Sequence, residues 1–219
     1  MSDVQFDLVI FDCDGVLVDS EPVTTRILME NLARHGLYLS EDQVDQMFTG
    51  GTIAGAGETV RARGIDLPGD WLESIYADIY DALRAGVPVL DGVTEFLDAL
   101  DAAGVGYAVG SNGSEEKMQI TLGQSGLIER FAGRIYSAHT YGVAKPDPAL
   151  YQRAASDAGV PPGRCAVIDD SPAGCTAGVR AGMLTLGLAE RTDPARLAAV
   201  GAEPVDGIRA AAARLGFAI

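Results

Sequence analysis

From Pro88 to Leu188 the hydrophobic pattern switches repeatedly between the helical and the strand period, and this alternation constrains the fold more than any other feature of the chain. Helical patterns run over Val93–Ala103, Glu115–Gln124, Pro148–Ala158 and Ala173–Ala181. Short apolar runs separate them at Gly106–Ser111, Arg134–Ser137, Cys165–Asp169 and Leu184–Leu188. Strands connected through helices become parallel neighbours, so the pattern predicts an α/β protein: a Rossmann-like parallel sheet with helices on both faces. The run Phe6–Phe11 supplies a first strand. Between it and Pro88 no strand pattern occurs. Val23, Ile27, Leu28 and Leu32 mark one helix that stops near Gly36, and Trp71, Leu72, Ile75, Ile79 and Leu83 mark another over Asp70–Leu83. Residues 1–18 and 88–219 are therefore expected to form the α/β core, with residues 19–87 as an α-helical insertion after the first strand. The Ala- and Arg-rich tail Ile208–Leu215 reads as a final surface helix.

Thirty-one acidic residues against sixteen Lys and Arg give a net charge of −15. Such a chain lacks the basic footprint that nucleic acid requires. It also repels anionic ligands at long range, so a site for a phosphate ester would need a local cation, either a metal or a well-placed Lys. No apolar run reaches the ~18 residues of a membrane span, and the opening Met-Ser-Asp-Val-Gln-Phe-Asp has no basic segment of the kind that begins a signal peptide. Cys13, Cys165 and Cys175 have no metal-ligand spacing and read as reduced thiols. The expectation is a cytoplasmic monomer that binds neither nucleic acid nor membrane.

In open parallel sheets ligands bind beyond the carboxyl ends of the strands. Three strand patterns end there in polar residues: Asp12 and Asp14, Ser111 and Asn112, and Asp169 and Asp170. Two carboxylates at i and i+2 repel unless a cation lies between them, which suits a nucleophile beside a metal; alone, the pair is equally a loop with two solvated acids. Asp169-Asp170 adds a second acid pair, and magnesium prefers such hard oxygen ligands. Asp170-Ser171-Pro172 also has the form of a helix start, with Ser171 as its cap. Ser111-Asn112-Gly113 opens a helix, a position that suits a phosphate oxygen or simply begins the helix. The chain contains only two Lys, and Lys145 lies in a loop from which its point charge would neutralise both a carboxylate and a phosphoryl group. His35 sits at a helix end, where the dipole favours it. His139 is a minor candidate for a substrate contact, and Cys13 is expected to face the packing of the sheet. Gly50–Gly57 is either a substrate-facing loop or a helix connector.

Taken together these segments resemble the haloacid dehalogenase-like hydrolases, in the group with a helical cap after the first strand. FDCDGVLVDSEP is similar to the family's first motif, GSNGS to its second, AKPDPALY to its third and VIDDSPAG to its fourth, in the family order. The resemblance implies a Mg2+-dependent phosphatase acting on a small phosphorylated metabolite through an aspartyl-phosphate. It implies Asp12 as nucleophile, Asp14 as acid and base, and Lys145 as the bridge between phosphate and nucleophile. It further implies Ser111 and Asn112 as phosphoryl-binding residues, and Asp12, the Asp14 carbonyl and Asp170 as metal ligands, with Asp169 in or beside that shell.

The acid at Asp14 is absent from true dehalogenases, which argues against dehalogenation. β-Phosphoglucomutases carry a His and an Arg where this chain has Thr24 and Ile53, so a sugar phosphomutase is the alternative reading rather than the first. A receiver-type phosphoacceptor module has no use for a long helical insertion. SNGSEEKMQ and KPDPALY are most similar to sugar-phosphate phosphatases of the 6-phosphogluconate phosphatase type.

Overall fold

The computed structural model describes residues 5–48 and 53–219. In chain order it comprises β1 (Leu8–Phe11), α1 (Glu21–Arg34), α2 (Glu41–Phe48), α3 (Ile53–Ala62), α4 (Trp71–Ala85), α5 (Val93–Ala103) and β2 (Gly106–Ser111). It continues with α6 (Glu115–Gln124), β3 (Ile135–Ser137), α7 (Ala138–Tyr141), α8 (Ala149–Ala158), β4 (Cys165–Asp169), α9 (Pro172–Arg180), β5 (Leu184–Leu188), α10 (Pro194–Ala199), β6 (Glu203–Val205) and α11 (Gly207–Arg214). Two compact units emerge: one of residues up to Asp19 together with Pro88–Ile219, the other Ser20–Val87.

The first unit is built on a six-stranded sheet in the order β3-β2-β1-β4-β5-β6, parallel throughout. β1 lies between β2 and β4, with Phe11 level with Val109 on one side and Ile168 on the other. Strand order reverses direction across β1, and the crevice that such a reversal opens is where ligands bind in sheets of this kind. Alternate residues of β1 face opposite layers. Leu8 and Ile10 join Leu150, Tyr151 and Ala154 of α8 in one cluster. Phe11 meets Phe96 of α5 edge-on at 5.7 Å and Phe131 at 6.5 Å. Strands covered on both faces read as continuous apolar runs, which is why LVIF and CAVID stood out.

The boundaries differ in a few places. β1 begins at Leu8 rather than Phe6, although Phe6 is buried. β6 and α10 went unanticipated: Glu203-Pro204-Val205 is short and polar, with no alternation to announce it. The tail helix is not merely on the surface. Ile208, Ala211 and Ala212 of α11 are buried, and its other side carries Arg209, which binds Asp91 and Glu95. Ala-rich composition conceals a buried face because Ala is both a good helix former and small enough to pack closely.

In the second unit, α1 and α4 are joined through Trp71, whose buried indole N–H donates to Asn31 Oδ1 at 2.7 Å. Asn31 in turn donates to Asp78, which also accepts from Arg34. Gly57 lies within α3, and a methyl at that position would stand 2.6 Å from Cζ3 of Trp71. Its part in this stretch is close packing; Gly50 and Gly51 lie outside the described residues. Gly57→Ala should lower stability by about 1–3 kcal/mol through overpacking, read as an earlier urea midpoint. An unchanged midpoint would show that the indole yields freely.

Candidate active site

The sheet brings the polar strand ends together. The Asp12 amide donates to the Ile168 carbonyl, extending the β1–β4 ladder by one step and setting Asp12 beside Asp169. Ser111 ends β2 on the other side. Lys145 arrives from the loop before α8 and is almost fully buried. Its Nζ lies 2.9 Å from Asp12 Oδ1 and 2.7 Å from Asp169 Oδ2, and 5.1 Å from the centre of the Tyr151 ring. Burial pushes this amine down, but the charges of Asp12 and Asp169 outweigh it and raise the pKa well above the ordinary lysine value.

Asp169 is saturated. Oδ2 accepts from Lys145 and from the Tyr151 hydroxyl at 2.6 Å, while Oδ1 accepts from the Ser171 amide and hydroxyl at 2.9 and 2.8 Å. Burial acts to raise its pKa, yet Lys145 and these donors bring it below the usual carboxylate value. Asn112 is committed to the backbone of Lys145, accepting from its N–H at 2.8 Å and donating to its carbonyl at 3.4 Å. The Ser111 hydroxyl accepts from the Gly113 amide.

Asp12 contrasts with Asp169. Its Oδ1 is buried and, although the Lys145 ammonium lies 2.9 Å away as an ion pair, it takes no hydrogen bond of good geometry. Burial, reinforced by the charges of Asp169 and Asp14 and only partly offset by Lys145, pushes its pKa up to about 6. Oxygens of Asp12, Asp169 and Asp170 all lie within 4.8 Å of one another. An ionised carboxylate accepts about four hydrogen bonds, so Asp169 has no capacity left. Asp12 and Asp170 are the pair that suits a hard divalent cation, and such an ion would satisfy the orphaned oxygen. The residues fit magnesium.

Two glycines shape this cluster. Gly15 has φ +74°, and a methyl on it would sit 2.2 Å from Asp170 Oδ2; a methyl on Gly174 would sit 1.8 Å from Asp169 Oδ2. A cavity of about 280 Å3 opens beside Gly15 and Asp170, with Asp19, Leu90, Glu190 and Arg191 among its walls.

A family model for haloacid dehalogenase-like hydrolases matches residues 6–182. The chain belongs to that family. It is 31% identical over 181 residues to the 6-phosphogluconate phosphatase of Escherichia coli, covering 82% of this chain and 80% of the relative. It is 28% identical over 199 residues to hexitol phosphatase A of the same organism, covering 86% and 85%. A haloacid dehalogenase family hydrolase from Deinococcus radiodurans, solved with bound phosphate and sodium, superposes with a TM-score of 0.83 at 35% identity over 98% of each chain. This protein is thus a hydrolase, and the two Escherichia coli relatives are phosphatases, which supports a phosphoric monoester hydrolase.

Within this haloacid dehalogenase-like site the sequence reading missed three groups. Tyr151 received no role of its own from the sequence, since it lies on the buried face of α8 with Leu150 and Ala154. Gly110 makes room for it: a methyl there would stand 3.0 Å from the ring, so the glycine lets the phenol lie along the sheet and reach Asp169. Ser171 was read as a helix cap; it is one, donated to by the Gly174 amide, and it also grips Asp169. Lys117 carried a signal that went unused, as the second of only two lysines: its Nζ lies 2.9 Å from Asp14 Oδ1. His139 is exposed on α7, and His35 caps α1. Cys13 is buried against Thr121 of α6, and burial raises its thiol pKa further.

The raised Asp12 pKa has a consequence for stability. A carboxyl that holds its proton more tightly when folded contributes stability below its unfolded value and loses it as pH rises through about 6. In chelator, Asp12→Asn should therefore be more stable than the parent at pH 8 by about 1–3 kcal/mol. The advantage should shrink as pH falls from 6 towards 4. Urea titrations at both pH values test this, and a variant less stable than the parent at pH 8 would contradict the electrostatic account.

Proposed function

We propose that this hydrolase cleaves a phosphoric monoester of a small metabolite, a sugar phosphate or a related ester, with Asp12 as nucleophile. The carrying observation is Asp12 itself: a buried carboxylate with an oxygen that takes no hydrogen bond, a lysine ammonium 2.9 Å away, and Asp170 within reach of the same cation. An Asp12 oxygen bonds to phosphorus as the ester P–O bond breaks, and Asp14 gives a proton to the departing oxygen, which leaves as an alcohol. Water then loses a proton to Asp14 and bonds to phosphorus, the Asp12–phosphorus bond breaks, and inorganic phosphate is released.

Phosphoryl transfer depends mainly on positioning and charge neutralisation. Lys145 stands between nucleophile and phosphoryl group, and the Ser111 hydroxyl meets a phosphoryl oxygen. Asp12, the Asp14 carbonyl and Asp170 would hold Mg2+, which when bound neutralises charge on the phosphoryl oxygens. Asp169, saturated by its four donors, aims Lys145 rather than joining the metal. Asn112 serves the phosphoryl site by fixing the Lys145 backbone.

The names of the relatives, a 6-phosphogluconate phosphatase and a hexitol phosphatase, support a phosphorylated sugar or polyol as substrate. The helical unit, Ser20–Val87, supplies none of these groups and is proposed to act as a cap that selects among esters. Among the described residues no helix is long and apolar enough to cross a membrane.

With p-nitrophenyl phosphate, phosphate release should require Mg2+, stop in chelator, and fall about 10⁴-fold or more in Asp12→Asn. Near-parental turnover in that variant would remove Asp12 as nucleophile. A panel of sugar phosphates ranked by kcat/KM then identifies the substrate class. Interconversion of a sugar 1-phosphate and 6-phosphate without phosphate release would make the protein a mutase instead.

A further inference from the structure

Lys117 occupies an odd position for a cation. It lies in the first turn of α6, behind the Ser114 cap that accepts from its amide. The partial positive charge of a helix N-terminus disfavours Lys there and favours the neighbouring Glu115 and Glu116. Its ammonium turns away from water, with the side chain 22% exposed, and binds Asp14 Oδ1 at 2.9 Å. The other Asp14 oxygen, Oδ2, lies towards Gly113 and Ser111. A methyl placed on Gly113 would stand 3.6 Å from Asp14 Oδ2 and 3.4 Å from Ser111 Oγ, so both atoms border the same point beside the strand end.

Building on the phosphatase reading above, we propose that Lys117 is a positioning residue for proton transfer: by holding Oδ1 it directs Oδ2 of Asp14 to the ester oxygen. A carboxyl with one oxygen against an ammonium carries any proton on the other. The ion pair therefore selects which oxygen exchanges the proton, first with the leaving group and then with water. It also confines the carboxylate to one rotamer, and proton transfer depends on such placement within hydrogen-bond reach. Lys145 and Lys117 thereby divide the work: one faces the nucleophile, the other faces the acid.

The test uses aryl phosphates from p-nitrophenyl to phenyl phosphate, which need progressively more protonation of the departing oxygen. kcat/KM is plotted against leaving-group pKa for the parent, Lys117→Met, Lys117→Arg and Asp14→Asn. Lys117→Met keeps the aliphatic stem and removes the charge. It should lose about tenfold or more with phenyl phosphate and less than about threefold with p-nitrophenyl phosphate, a fraction of the 10²–10⁴-fold that a general acid contributes. Its slope should steepen towards that of Asp14→Asn. Lys117→Arg should recover part of the loss, and Lys117→Met should add little to Asp14→Asn in the double variant. Equal losses across the series, or none, overturn the role of Lys117 while a steep Asp14→Asn leaves Asp14 as the acid. An unchanged slope in Asp14→Asn removes the acid itself, and the Lys117 proposal with it.

Discussion

The structure of the site depends on one buried ammonium. Lys145 lies between Asp12 and Asp169 at the end of the two central strands, and its removal would leave two carboxylates facing each other out of water. Burying charge is costly unless it is paired and hydrogen-bonded. Here the compensation is asymmetric: Asp169 has four donors, whereas Asp12 Oδ1 has a close cation and no hydrogen bond. That asymmetry separates two chemically identical side chains into one held by four donors and one with an oxygen left open. It also accounts for the opposite directions of their pKa values.

The sheet makes this arrangement possible at modest cost in chain geometry. Because β1 is flanked by β2 and β4, residues separated by about a hundred positions or more end on the same edge, and one-step extensions of adjacent ladders set them side by side. The glycines then permit approaches that any side chain would block. Gly15 makes room for Asp170, Gly174 for Asp169, and Gly110 for Tyr151. Preorganised groups of this sort need little rearrangement when charge develops on a transferring group, which is the main physical route to electrostatic catalysis.

Much of the fold was legible because buried parallel strands and amphipathic helices write strong, opposite periodicities. Gly106–Ser111, Cys165–Asp169 and Leu184–Leu188 match the strands residue for residue, as does the helix Val93–Ala103. β6 escaped because three residues carry no period, and the buried side of α11 escaped because Ala marks helix without marking core. At the site, acids at strand ends were visible as residue types, but their partners were not. Nothing in the spacing of Tyr151 distinguishes a phenol packed in the core from one that donates to Asp169. Asn112 was visible as a candidate phosphate ligand, but nothing in its spacing announced that its amide also holds the Lys145 backbone. Lys117 was visible in composition alone, since an Arg-rich chain that keeps two lysines invites the question of where both go.

Both go to one place, and this shapes how the protein meets chemistry from outside. Every other strong side-chain base is a guanidinium, so the periphery offers acylating and imine-forming reagents almost no ε-amine to modify. One of the two ε-amines is shielded between carboxylates, and the other is three-quarters covered and tied to Asp14. Immobilisation or labelling through lysine would accordingly proceed poorly on the native protein, and whatever did react would be reporting on the acid-lined end of the sheet.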